Sequence, residues 1–353
     1  MSRRRALLAL LVTAALPACA DSTVTPRAAQ AAPPAAPAAP QSVQLPGGEA
    51  GVGLDDLRWS PMLQRVLAPA GRTGNLDLVD PQTGAVQSVP GFGSKDSYSG
   101  GHGDGCTSAD EGAGVLFAID RTRRVLAVVD PERRAILSET PLAAGPDYVR
   151  YVPSTHEVWV TEPRAEAIEI FSLSGATPPA PQLAGRVSVP GGPESLVIDG
   201  TRGRAYTHLW TDTTLAIDLA RREVVARWPN GCTGSRGIAL DEAHGLLFVG
   251  CEEGRATALD VAHDGRQTGS APTGSGVDII ACDAARGRLY VPAEDGALTV
   301  LGFTPQGELS VLGTRPVPKG AQGVATDGAG RVFVGDPDAG RLVILVDDQP
   351  AGR

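Results

Sequence analysis

The chain has 353 residues, with 31 Lys plus Arg against 40 Asp plus Glu and a formal net charge of −9. That balance argues against a general nucleic-acid binder, whose affinity comes from neutralising phosphates, and favours cationic or metal partners over anionic ones. Gly 44 and Pro 29 together make up about a fifth of the chain, which suits many short strands joined by tight turns.

The N-terminal segment stands apart. Arg3, Arg4 and Arg5 precede an apolar run over residues 6–16 and then small residues, so residues 1–20 read as a signal peptide. The run is too short to cross a bilayer as a permanent helix. Its end reads two ways. Leu16-Pro17-Ala18-Cys19 resembles a bacterial lipobox with Cys19 as the lipidation site, and Ala18-Cys19-Ala20 also fits ordinary signal cleavage. Residues 21–42 are Ala/Pro-rich, and proline's fixed φ favours an extended spacer, with a disordered tail as the plainer alternative.

From residue 43 to 348 one phrase recurs. It stands at 196–206 (LVIDGTRGRAY), 238–248 (IALDEAHGLLF), 280–290 (IACDAARGRLY) and 324–333 (VATDGAGRVF). Each copy is an apolar run, an Asp, a polar turn and a second apolar run ending in an aromatic. Weaker copies place the equivalent anchors at Ser60, Asp110, Val152, Asp199, Asp241, Asp283 and Asp327, in steps of 50, 42, 47, 42, 42 and 44 residues. A period in this range with several strand-like runs per repeat predicts a β-propeller.

Each repeat supplies four strands. The phrase gives the first two. Apolar runs such as 125–129, 214–217 and 298–301 give a third, often followed by an Asp (Asp80, Asp130, Asp218, Asp260, Asp347) where a turn begins. Polar alternating runs such as 186–190 and 224–228 give a fourth, outer strand. The last repeat stops after its third strand. Residues 42–47 (SVQLPG) resemble the fourth-strand phrase at 187–191 (VSVPG), so pairing them beside 341–346 closes the ring and covers a bare edge. The expected fold is all-β, a seven-bladed propeller closed by an N-terminal strand that completes the last blade.

These repeats resemble the YVTN-type propeller repeats of the YncE family. The likeness is carried by GPDYV at 145–149, GPESL at 192–196, CTGSRGIALD at 232–241 leading to LFVGC at 247–251, GVD at 276–278 and DGALTV at 295–300. The nearest form of the YVTN tetrapeptide itself is LYVP at 289–292. The resemblance implies a seven-bladed propeller, usually exported, and leaves the activity open because propellers host enzymes and binding modules alike.

Five positions before each anchor the chain enters the innermost strand. Those positions hold Asp55, Gly105, Asp147, Glu194, Arg236, Asp278 and Gln322, with Asp104 beside the glycine. Superposed blades make this a ring of carboxylates broken by one Arg. Such a ring holds a divalent cation such as calcium, with Asp147, Glu194 and Asp278 as the candidate ligands, or tunes a general base by crowding. The plainer reading is that these acids accept backbone hydrogen bonds and fix turns. The longest inter-repeat loop, 91–107, is Gly-rich and overhangs the same mouth. It reads first as a solvated loop and second as a lid or ligand-contact loop carrying His102.

Cys232 and Cys251 fall at one end of one repeat and read as a disulfide in an exported protein, with Cys106 as the competing partner. Cys282 reads as a buried thiol. The leading expectation is therefore an exported, lipid-anchored monomer that acts as a binding or scaffold module for a metal, small ligand or protein partner. The alternatives are a metal-dependent lactonase-like hydrolase, with Arg236 steadying an anionic intermediate, and a subunit of a periplasmic redox complex.

Overall fold

The computed structural model describes residues 41–348; the expected signal segment, Cys19 and the Ala/Pro-rich stretch up to residue 40 lie outside the described residues. Seven four-stranded antiparallel sheets follow one another. The first comprises Arg58–Ser60, Arg65–Pro69, Asn75–Val79 and Val86–Pro90. Blades 2 to 6 repeat that order and end on Ala135–Pro141, Pro181–Ser188, Glu223–Pro229, Arg266–Pro272 and Leu309–Pro316. Blade 7 has three strands of its own, Val324–Thr326, Arg331–Asp336 and Arg341–Val346.

Its fourth strand is Gln41–Gln44, paired antiparallel with Gln41 opposite Ile344 and Gln44 opposite Arg341. The closure expected from the SVQLPG phrase is present, and the strand starts at Gln41, inside the expected spacer. This pairing satisfies the outer edge of Arg341–Val346, which otherwise exposes a row of unpaired backbone groups.

The repeated phrase has a packing reason. Its terminal aromatic, at Phe117, Trp159, Tyr206, Phe248, Tyr290 and Phe333, is fully buried in the second strand of its blade. Blade 1, whose copy of the phrase is degenerate, has Leu67 there instead. Trp59 of its inner strand stacks on Phe333 of blade 7, centroids 6.1 Å apart, and so fills the seam where the ring closes. Tyr151 of blade 3 stacks on Phe117 of blade 2 in the same way, at 5.8 Å.

The repeated aspartates hold turns. Asp199, Asp241, Asp283 and Asp327 accept the backbone N–H groups of Arg202, His244, Arg286 and Ala329 at 2.8–3.2 Å. Asp80, Asp130, Asp218 and Asp260, at the ends of the third strands, do the same for residues two positions on. These are Asx turns, the reason Asp recurs at fixed offsets. In blades 2 to 6 the third and outer strands share one irregularity, a register shift at Val128/Val129, Ile170/Phe171, Ala216/Ile217, Ala258/Leu259 and Val300/Leu301. A bulge there adds twist to each blade at one radius, which suits the radial stacking of sheets.

Candidate functional site

The innermost strands surround a central channel divided into two cavities. The lower, of about 280 Å³, is lined by Leu57, Val197, Ile238, Leu240, Ile279 and Val324 among others. Tyr148 borders both cavities. Beside it Arg150 is held by Asp56, Nη1 to Oδ2 at 2.6 Å and Nη2 to Oδ1 at 3.0 Å, and donates from Nε to Leu196 O at 2.9 Å. The Arg150 guanidinium also lies 5.3 Å from the Tyr148 ring centroid. A buried charge needs such full pairing, and this one has it.

The upper cavity, of about 260 Å³, is the expected mouth. Asp147, Glu194, Arg236, Asp278 and Gln322 line it, joined by His102. The blade-superposition argument therefore places five of its seven ring positions around one space. Asp55 sits just below, 1% exposed, with Oδ2 2.7 Å from His102 Nδ1. Gly105 has a backbone reason for breaking the ring. Its φ is +62°, and a Cβ there would run into the carbonyls of Gly71 and Gly93. Asp104 is outside the ring's lining, with its carboxylate 2.6 Å from Lys95 Nζ.

The Gly-rich loop keeps most of its residues exposed but packs down at Tyr98 and His102. Gly51 and Gly53 leave room for it. A Cβ on Gly51 would run into the Tyr98 ring, and one on Gly53 would lie 2.7 Å from Gly101 O and from the His102 Cα. Arg72 fixes the facing segment by donating to Gly51 O and Gly47 O, both at 2.8 Å. The result delivers His102 into the mouth, where its Nε2 lies 3.5 Å from Asp278 Oδ2. His102, Asp104 and Cys106 alternate along that loop, and of the three only His102 lines the mouth. Cys106 begins the inner strand of blade 2 as a buried free thiol.

Four lining residues were not singled out by the sequence reading: Arg121, Trp210, Glu252 and Glu294. Arg121, Glu252 and Glu294 directly follow the second strands Val115–Asp120, Leu246–Cys251 and Arg288–Ala293, so a second ring exists at a constant repeat offset. That offset was the signal available. It matters because these residues consume part of the first ring. Arg121 pairs with Asp147 and donates to Pro146 O at 2.8 Å. Arg236 pairs with Glu252 and stacks over Trp210, 4.6 Å from the ring centroid. Gln322 donates to Glu294 at 2.6 Å.

What remains is acidic. Glu194 Oε2 and Asp55 Oδ1 are buried with no hydrogen-bond partner. Burial, reinforced by Asp278, pushes the Glu194 carboxyl well above its usual range. Burial also raises Asp278 to about 6, against the opposing pull of His102. The Asp55 carboxylate in turn raises the His102 imidazole to about 9, so at neutral pH it is a cation set between two acids. Among the described residues, Asp147, Glu194 and Asp278 do not gather their oxygens into one ligand set; the group within 4.8 Å is Asp55, His102 and Asp278.

Cys232 and Cys251 form the expected disulfide, Cα to Cα 5.3 Å, and neither Cys106 nor Cys282 takes part. It ties the loop before Arg236 to the strand end before Glu252, and so braces one side of the mouth. Cys282 is half-buried in the inner strand of blade 6.

No protein-family model matches the sequence, and no curated protein sequence matches it. Solved structures do match. A chain in the crystal structure of the mitotic checkpoint complex superposes with a TM-score of 0.73 at 13% identity, covering 95% of this chain and 99% of that one. Kuenenia stuttgartiensis hydrazine synthase gives 0.70 at 12% identity, with 84% and 96% covered. The structure of U3-55K gives 0.71 at 10%, with 88% and 100% covered. At these identities the likeness carries the fold, and the fold is that of a seven-bladed β-propeller.

Proposed function

We propose that this protein is a binding module whose acidic mouth takes the cationic group of a small ligand. The observation that carries this reading is the surplus of acid after internal pairing. Five carboxylates line the upper cavity against two guanidinium groups and one imidazole, and both guanidinium groups are already paired with Asp147 and Glu252. Glu194, half of whose carboxylate is unpartnered, faces that cavity. An arriving cation supplies the missing partner in a site of low dielectric, where such pairing is strong.

The setting we propose is the cell envelope. The Arg-rich start, short apolar run and Cys19 support export and lipid anchoring, and the Ala/Pro-rich stretch supports a spacer holding the propeller off the membrane. The disulfide is of the kind that persists in an oxidising compartment. The repeat phrases support placement in the YncE-like, YVTN-repeat group.

Calorimetric titration of the purified protein with a panel of mono-amines, diamines and guanidinium compounds tests the binding reading. Saturable binding that weakens when Glu194 is replaced by Gln is expected; a flat titration across the panel rejects it. Labelled palmitate incorporation in a bacterial host, abolished in Cys19→Ala, tests the anchor separately.

A further inference from the structure

Most buried charge in this propeller is consumed locally. The anchor aspartates hold turns, Asp56 is held by Arg150, and Asp147 by Arg121. The group formed by Asp55, His102 and Asp278 is arranged differently. His102 Nδ1 lies 2.7 Å from Asp55 Oδ2, a hydrogen-bond distance that fixes the ring and turns Nε2 towards Asp278 Oδ2. The Nε2 to Oδ2 distance is 3.5 Å, too long for a good hydrogen bond. It does match the spacing of two ligand atoms on one tetrahedral ion, about 3.4 Å for bonds of about 2.0–2.2 Å.

The shorter contact has a matching meaning. A metal-bound histidine donates its other ring N–H to a carboxylate that sets its tautomer and orientation, and Asp55 stands where that carboxylate belongs. A further carboxylate faces the same space, although its oxygens stand outside the 4.8 Å group of Asp55, His102 and Asp278. Glu194 is 3% exposed, its Oε2 has no partner, and it lines the same cavity as His102 and Asp278. The other three-residue group of ligand type among the described residues, Cys232, Cys251 and Glu253, has both sulfurs committed to the disulfide.

We infer that the floor of the mouth is a site for a first-row divalent transition metal such as Zn²⁺, held by His102 Nε2 and Asp278 Oδ2, with Asp55 positioning the imidazole and the unpartnered Glu194 oxygen facing the same cavity. An imidazole in the set selects such ions over Ca²⁺, which takes oxygen ligands alone. The ion replaces the Nε2 proton, which leaves to solvent, and its two charges offset the carboxylates of Asp278 and Asp55. The side of the ion facing the cavity is open to water or to a ligand donor atom. This inference rests on the mouth being a binding site, as proposed above, and adds a second occupant below the rim.

The test is titration of chelator-stripped full-length protein with Zn²⁺, Co²⁺ and Ca²⁺, reading bound metal per chain and the visible absorption of Co²⁺. One Zn²⁺ or Co²⁺ per chain is expected, with tetrahedral Co²⁺ bands and no displacement by Ca²⁺. His102→Ala should weaken binding at least 100-fold, and Asp55→Asn by about 10–100-fold. His102 stands on a loop outside the strands, so its removal should spare the fold, which a melting curve checks; Asp278→Asn is the second variant. Absence of stoichiometric uptake, equal uptake in His102→Ala and Asp278→Asn, or Ca²⁺ binding as tightly as Zn²⁺ overturns the inference. Propylammonium titrated into the same stripped protein separates the readings. Amine binding without metal uptake sinks the metal site alone, and metal uptake without amine binding sinks only the ligand reading.

Discussion

Asp55 and Asp56 are consecutive, and both are almost fully buried, yet they meet opposite fates. Asp56 turns down the channel, where Arg150 grips both its oxygens and Ser108 donates to it at 2.5 Å. Asp55 turns up into the mouth, where His102 takes one oxygen and the other has no partner. Alternation along an extended chain sends neighbours to opposite faces. The floor of the channel is a closed network that locks blades 1, 2 and 3 together, and the mouth is an open one left for something to complete. Buried acid in itself marks neither structure nor function; the completeness of its pairing separates the two.

The largest effect should come from breaking the closed network. Arg150→Met leaves Asp56 buried without its cation and should lower stability by about 3–5 kcal/mol in guanidinium unfolding. An Asp56→Leu/Arg150→Met double variant should recover most of that loss. A single-variant loss below about 1 kcal/mol would break the comparison, because the floor would then be no better paired than the mouth.

Asp77 extends the comparison to a buried acid that lacks a cation. Burial pushes its carboxyl up to about 6 from 3.8, with a Ser88 hydrogen bond opposing. Between those two pH values the folded state holds the proton more tightly than the unfolded one. Stability is therefore highest below the window and falls as pH rises through it, by up to about 3 kcal/mol. Asp77→Asn should stabilise the protein at pH 8 and change little at pH 3, as read from melts at both values.

Removing the disulfide probes the braced side of the mouth. Its two cysteines are 19 positions apart, so Cys232→Ala/Cys251→Ala should cost about 3 kcal/mol by the loop-closure argument. Affinity for mouth ligands should fall with it, because the Arg236 and Glu252 rim loses its tie. Unchanged affinity would show that the rim is held by the blades alone.

The smallest effect on stability, and the sharpest on function, is expected from Glu194→Gln. Its carboxyl already favours the proton in the empty mouth, so the amide should shift stability by less than about 1 kcal/mol. An amide cannot ionise, and cation binding should be lost. A large stability change with binding intact would move Glu194 from the open network to the closed one.

The sequence by itself determined the ring. Period, blade number, turn aspartates, the closing strand and the Cys232–Cys251 pair are all local or periodic signals, since each blade must bury one aromatic and cap the same turns. It also placed Asp147, Glu194, Arg236, Asp278 and Gln322 at one mouth, because equal offsets in equal repeats superpose. Only the tertiary structure decided which of those charges are spent. Arg121 and Glu252 stand at one repeat offset that brings them to the mouth, but which partner each takes, Asp147 for Arg121 and Arg236 for Glu252, is settled by side-chain reach in the folded ring. His102 enters the mouth because Gly51 and Gly53 let its loop pack down on them. A contact made possible by missing side chains on a distant segment has no local signature, and it is the contact on which the candidate site depends.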